Sequence, residues 1–145
     1  MKPSRSLDFL HPVLIESVHK IDEIINTHSI PMSLFETGRT QKRHAYLLSK
    51  GKVTSIVSPH LYNMESDPPL YATGVDYVYF DNRWSWNLRD DTVLSWYVLF
   101  GNLVLDKCPE LKWKGQDRKN KNYCHFSLKQ SIVYDHMDTI PCVLC

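Results

Sequence analysis

From Leu10 to Ile25 the apolar residues Leu10, Leu14, Val18, Ile21 and Ile25 return every three or four positions, and Val13, Ile15 and Ile24 widen the stripe. That period belongs to an amphipathic helix with one face laid on a core. Asp8 is the expected cap, with Pro12 in the first turn. The following segments are too short and too differently patterned to continue a helical bundle. Ile30 to Phe35 reads as a strand, Thr37-Gly38 as a turn, and Thr40 to Lys50 as a second helix closed by Gly51. Pro59, Pro68 and Pro69 preclude a regular element between Gly51 and Tyr71, so that stretch is a loop feeding the aromatic, branched strand Val75 to Phe80. A largely buried helix is expected over Leu94 to Leu105, with short strands at Leu111 to Lys114 and His125 to Leu128 and an exposed loop over Lys114 to Asn122. The alternation predicts an α+β fold, a small antiparallel sheet packed with helices.

A chain of 145 residues has room for one core, so residues 1–145 are expected to form a single domain, with 129–145 as a C-terminal extension. Seventeen Lys+Arg against sixteen Asp+Glu leave a formal charge of +1, which gives no general reason to expect a nucleic-acid partner or steering toward an anionic wall. No apolar run approaches the length of a membrane span, and the basic start leads into a pattern broken by His11, Pro12, Glu16 and His19 rather than into a signal-peptide core. The expectation is a monomer made in the cytoplasm without a signal peptide and without membrane insertion. The four cysteines cluster after Leu105, unlike a disulfide framework, and are expected as thiols; Cys142-Val-Leu-Cys145 has the spacing of half a zinc knuckle or a redox pair, but no second such pair follows.

Residues able to bind metal or move protons flank strand candidates at Ser58-Pro59-His60, Gly74-Val75-Asp76-Tyr77 and Tyr123-Cys124-His125-Phe126. Imidazole nitrogen and carboxylate oxygen are suitable zinc donors, and three protein ligands leave a fourth position open. His60, Asp76 and His125 could supply that set, although packing or hydrogen-bonded histidines would carry the same spacing. Cys124 would point to the opposite side of its strand from His125 and is expected as a core thiol. His136, with Asp135 and Asp138, reads as an exposed tail.

With Glu36-Thr37-Gly38-Arg39-Thr40, Gly51-Lys52-Val53-Thr54, Ser58-Pro59-His60, Gly74-Val75-Asp76-Tyr77-Val78-Tyr79-Phe80, Trp113-Lys114-Gly115-Gln116-Asp117 and His125-Phe126-Ser127 in this order, the chain resembles the M15 zinc peptidases from Leu10 to Leu128. This is the D,D-carboxypeptidase and L-alanyl-D-glutamate endopeptidase group, which includes phage endolysins. The resemblance implies one Zn²⁺ ion held by His60, Asp76 and His125, with Arg39 contacting a substrate carboxylate or carbonyl oxygen. It also implies hydrolysis of a peptide bond in peptidoglycan stem peptides, on the cell wall if the chain is an endolysin.

Three departures from the pattern stand out. The family's general-base carboxylate, three residues before the last histidine ligand, is expected to be replaced here by Asn122, an amide that cannot take a proton near neutral pH. An engineered inactive variant, a natural zinc-binding pseudoenzyme, or recruitment of Asp117 or Glu110 would each follow from that replacement. The fifteen residues Leu61 to Val75 form a longer loop than relatives carry, with Tyr62 and Tyr71 as candidate substrate contacts in a lid or cleft wall. His44 stands where relatives often have Gln, and could orient substrate or face solvent on its helix. A metal-free interaction protein remains the third reading of the chain.

Overall fold

In the computed structural model, which describes residues 2–135, the first helix α1 (Pro12–His28) lays Leu14, Val18, Ile21 and Ile24 on the core. Its cap is His11 rather than Asp8: the His11 Nδ1 accepts the Val13 N–H at 3.2 Å. Pro12 has no N–H to satisfy, so a cap directly before it needs to reach only the next donors. Strand β1 (Met32–Glu36) and helix α2 (Gln41–Ser49) follow, α2 capped by the Thr40 hydroxyl on the Arg43 N–H, and Gly51 takes the left-handed conformation (φ 68°) just beyond it. Then come β2 (Gly74–Phe80), the two-residue β3 (Trp84–Ser85) and α3 (Asp91–Lys107). Strand β4 (Leu111–Trp113), a 3₁₀ turn (Lys114–Gln116), β5 (His125–Leu128) and α4 (Gln130–Asp135) complete the order. Helix α3 begins at Asp91 because Asp90 caps it, its carboxylate accepting the Thr92 and Val93 N–H groups. The expectations for His136, Asp138 and the Cys142–Cys145 pair lie outside the described residues.

The strands form one antiparallel sheet in the order β1-β2-β5-β4, with β3 paired to the far end of the β2 edge that β5 also uses. Strand β3 was not anticipated, since two residues are too few to show alternation. Along β2 and β5 alternate side chains face opposite ways. Val75, Tyr77, Phe126 and Leu128 point to the core, where Phe100 of α3 meets Tyr77 and Phe126 at ring-centroid distances of 5.5 and 5.8 Å and Trp113 stacks on Phe126 at 6.2 Å. Cys108 and Cys124 are buried free thiols there, and burial pushes them up to about 11 and about 12 respectively. Cys124 is thus the core thiol expected of it.

The helix α3 approaches this sheet through Gly101, where a Cβ would lie 2.4 Å from the Trp113 ring. Replacing a mid-helix glycine with alanine ordinarily stabilises by about 1 kcal/mol, whereas overpacking a core costs about 1–3 kcal/mol. Because the obstacle is a buried indole rather than a flexible tip, overpacking wins. Gly101→Ala is expected to lower stability in a denaturant titration by about 1–2 kcal/mol; a gain would show that Trp113 can yield.

Candidate metal centre

Cross-strand register brings the site together. Antiparallel pairing sets Asp76 of β2 directly opposite His125 of β5, so both side chains leave the same face of the sheet. On the other edge of β2 one extra residue, Phe35, bulges out of β1 between the Leu34–Tyr77 and Glu36–Asp76 pairs, which places Glu36 opposite Asp76 as well. His60 arrives on the long connection before β2. That segment is stitched down on both sides: Arg39 N–H donates to the His60 carbonyl at 2.6 Å, and the Thr73 and Gly74 N–H groups donate to the Pro59 carbonyl at 2.7 and 3.1 Å. Gly74 is required for a steric reason, since a Cβ there would fall 2.7 Å from Pro59 and 2.8 Å from the His125 ring.

Asp76 Oδ1 lies 2.9 Å from His125 Nδ1 and 3.2 Å from His60 Nε2, and the three candidate ligand atoms all fall within 4.8 Å of one another. Donors around tetrahedral zinc stand about 3.3 Å apart when bonds are ~2.0–2.1 Å, so the two distances to Asp76 already suit a small cation. The His60 Nδ1–H donates to the Thr37 carbonyl at 2.7 Å, which leaves the Nε2 lone pair of the neutral ring facing the cluster. Burial alone would raise the Asp76 pKa, but the His60 charge and the hydrogen bonds from both imidazoles reverse this and hold its carboxyl well below the usual range. Burial works against the His60 cation, yet Asp76 outweighs it and the His60 pKa rises; for His125 burial prevails and the pKa falls. The cluster therefore combines a committed anion with two imidazoles, a donor set able to hold a metal ion.

A second buried group braces the first. Glu36, 2% exposed, accepts from Arg39 Nη2 at 2.6 Å through one oxygen and from Arg43 Nε through the other. Arg39 Nη1 meets His44 Nδ1 at 3.2 Å, and His44 Nε2 meets the Ser55 carbonyl at 2.7 Å. Arginine can only donate and a carbonyl can only accept, so His44 is fixed as the neutral Nε2–H tautomer. Arg39 Nε is buried without a partner.

A cleft of about 740 Å³ opens over both groups, lined by Glu36, Arg39, His44, His60, Asp76 and His125 among others. His44 is thus buried in the cleft wall rather than on a helix surface. Tyr62 and Tyr71 do not line the cleft. Tyr62 stacks on Phe9 at 4.3 Å, and no residue of Leu61 to Val75 faces the cavity; the wall comes instead from residues 52–59. The expected loss of the site's carboxylate to Asn122 is overturned, because the cluster's carboxylate is Asp76, intact and paired with both imidazoles. Asn122 lines the cleft, but its Oδ1 accepts the Cys124 N–H at 3.1 Å as a turn residue leading into β5. Glu110 pairs with Lys20 at 2.5 Å, and Asp117 accepts the Lys119 and Asn120 N–H groups. Glu36 and Arg43 were not singled out from the sequence. Their signal was a lone carboxylate ending an otherwise uncharged strand, three residues before Arg39.

Fold and site together define a mixed α/β domain, small sheet against helices, carrying a His-Asp-His cluster of metal-ligating geometry on the sheet's open face. The solved structure of the L-Ala D-Glu endopeptidase ChiX of Serratia marcescens shares this fold, with a TM-score of 0.61 and 19% identity over 86% of this chain and 84% of that one. No family model and no curated protein matches the chain.

Removing the Glu36 charge would leave two guanidinium groups without their shared counter-ion, and breaking a buried pair by neutralising one partner costs about 3–5 kcal/mol. Glu36→Gln is expected to destabilise by roughly that amount in denaturant titrations. A change under about 1 kcal/mol would show that water already screens the pair.

Proposed function

We propose that the chain is an M15-type zinc peptidase that hydrolyses a peptide bond in peptidoglycan stem peptides, as a phage endolysin does. The observation that carries this reading is the His60–Asp76–His125 cluster at the floor of an open cleft, on a fold shared with an endopeptidase. The donor set suits one zinc ion: a carboxylate held ionised, an imidazole whose outer nitrogen is bound to a carbonyl, and a second imidazole seated against Gly74. When bound, zinc supplies Lewis acidity toward a peptide carbonyl and toward water.

The protein's own groups do the rest. Arg39 is anchored by Glu36 and His44, so its guanidinium stands ready beside the ligands to donate to a substrate carboxylate or to the oxygen that gains charge during hydrolysis. His44 acts on Arg39 as a positioning residue. Phe35 and Trp86, packed edge to face at 5.1 Å, give the cleft an apolar side that excludes water from a bound peptide. No helix among the described residues is long and apolar enough to cross a membrane. In this reading the chain works as a monomer on the wall, with no nucleic-acid partner.

Zinc titration by calorimetry, run beside mass spectrometry of digested peptidoglycan, tests the proposal. One equivalent of zinc and release of new amino termini are expected, and His60→Ala should lose the zinc and reduce hydrolysis more than about a hundredfold. Unchanged hydrolysis by His60→Ala would overturn the assignment.

A further inference from the structure

The segment before α1 lies as an arm across the outer support of the metal centre. The Thr37 N–H donates to the Ser4 carbonyl at 2.8 Å, and the Thr37 hydroxyl, with one proton to give, lies 2.5 Å from the Ser6 carbonyl. Between these two anchor points Arg5 sets its guanidinium over the rings of Trp84 and Phe35, 5.1 and 5.8 Å from their centroids. Further along, Phe9 stacks on Tyr62, and the Phe9 carbonyl and the His11 N–H satisfy both backbone groups of Ala72.

The arm holds both partners of one hydrogen bond. The Thr37 carbonyl accepts the His60 Nδ1–H at 2.7 Å, the bond that turns Nε2 toward the cluster. The arm grips Thr37 through its N–H and hydroxyl, and it holds the chain leaving His60 at Tyr62. Gly38 closes the gap between the two, since a Cβ there would fall 2.8 Å from the Tyr62 ring. Thr37 is wholly buried, and valine would fill the same volume. The hydroxyl's partners, the Ser4 and Ser6 carbonyls, both belong to the arm, so the hydroxyl answers the arm rather than the packing. Neither Thr37 nor residues 4–6 line the cleft. The outer partner of a ligating imidazole fixes the ring's orientation, and it can do so only as firmly as it is itself held.

Resting on the metal-binding part of the reading above, we propose that Thr37 is a positioning residue through which the arm, residues 4–6, holds the His60 ring toward the metal. Zinc affinity then depends on a segment that contributes no ligand. Thr37 acts through its carbonyl on His60 and touches neither the ion nor the substrate.

The test measures zinc affinity of the full chain by calorimetric competition against a chelator, beside thermal melting followed by circular dichroism. Thr37→Val keeps the shape and removes the hydroxyl; it is expected to weaken zinc about tenfold, the lower end of what disturbing an outer partner costs. Thr37→Ser restores the hydroxyl and should bring affinity back to within about twofold of the unaltered chain. Arg5→Ala, an exposed change, loosens the arm from outside and is expected to weaken zinc about twofold to fivefold. Val104→Ala, a core truncation in α3 away from the arm, should lower the melting temperature and leave zinc affinity within about twofold. Zinc affinity indifferent to Thr37→Val or to Arg5→Ala, no recovery in Thr37→Ser, or an equal loss in Val104→Ala would overturn the proposal. Two outcomes separate it from the peptidase reading. Zinc bound with this dependence but no hydrolysis sinks the peptidase and keeps the arm's role. Should the unaltered chain take up no zinc, the peptidase reading falls, and hydrogen exchange decides the arm's hold on His60 by itself: faster exchange of the Arg39 N–H, which donates to the His60 carbonyl, in Thr37→Val but not in Val104→Ala upholds that hold, and unchanged exchange overturns it.

Discussion

Glu36, Asp76 and His125 sit opposite one another on three neighbouring strands, and the rest of the site depends on that register. Side chains alternate along a strand, so a slip of one residue between β2 and β5 would send His125 into the core and Phe126 into the cleft. The core prevents it: Phe126 is wholly buried between Trp113, Phe100 and Tyr77. Moving one phenylalanine from such a place to solvent costs about 1.5–3 kcal/mol before the exposed histidine is considered. Packing on one face of the sheet thus fixes chemistry on the other. The Phe35 bulge breaks this regularity, and it aligns Glu36 with the row.

Electrostatics explains why so many charged groups can be buried close together. Asp76 is stabilised by two imidazoles, and Glu36 by two guanidinium groups, so neither carboxylate is left without compensation. The two clusters differ in what they can release. Glu36 is saturated by arginine and serves as an anchor. Asp76 is held by imidazoles that are themselves candidate metal ligands and can turn to an incoming cation without leaving a charge unpaired. His44 links Arg39 to the Ser55 carbonyl in the cleft wall, so the wall and the guanidinium are fixed by one ring.

Much of the fold was readable wherever a periodic pattern ran long enough. Helices α1 and α3 were visible from their apolar spacing, and β2 and β5 from their aromatic and branched residues. The α1 cap was misassigned to Asp8 because histidine is a rare cap and its role depends on where its ring nitrogen points. Strand β3 has too few residues to signal itself. His60, Asp76 and His125 could be named as a possible set from residue type and context, but their convergence depends on strand pairing that no local pattern encodes. Tyr62 and Tyr71 were drawn toward the cleft by proximity in sequence to His60; in the fold that loop turns back, and Tyr62 finds a stacking partner in Phe9. The weight placed on Asn122 came from a family pattern, whereas its side chain closes a turn and the cluster's carboxylate is Asp76.

The most direct measurement is anomalous diffraction at the zinc edge from crystals of the chain grown with one equivalent of zinc. A single peak about 2.0–2.2 Å from His60 Nε2, an Asp76 carboxylate oxygen and a His125 ring nitrogen is the expected result. A peak elsewhere, or an Asp76 that keeps both imidazole hydrogen bonds with no metal between them in the presence of zinc, would contradict it.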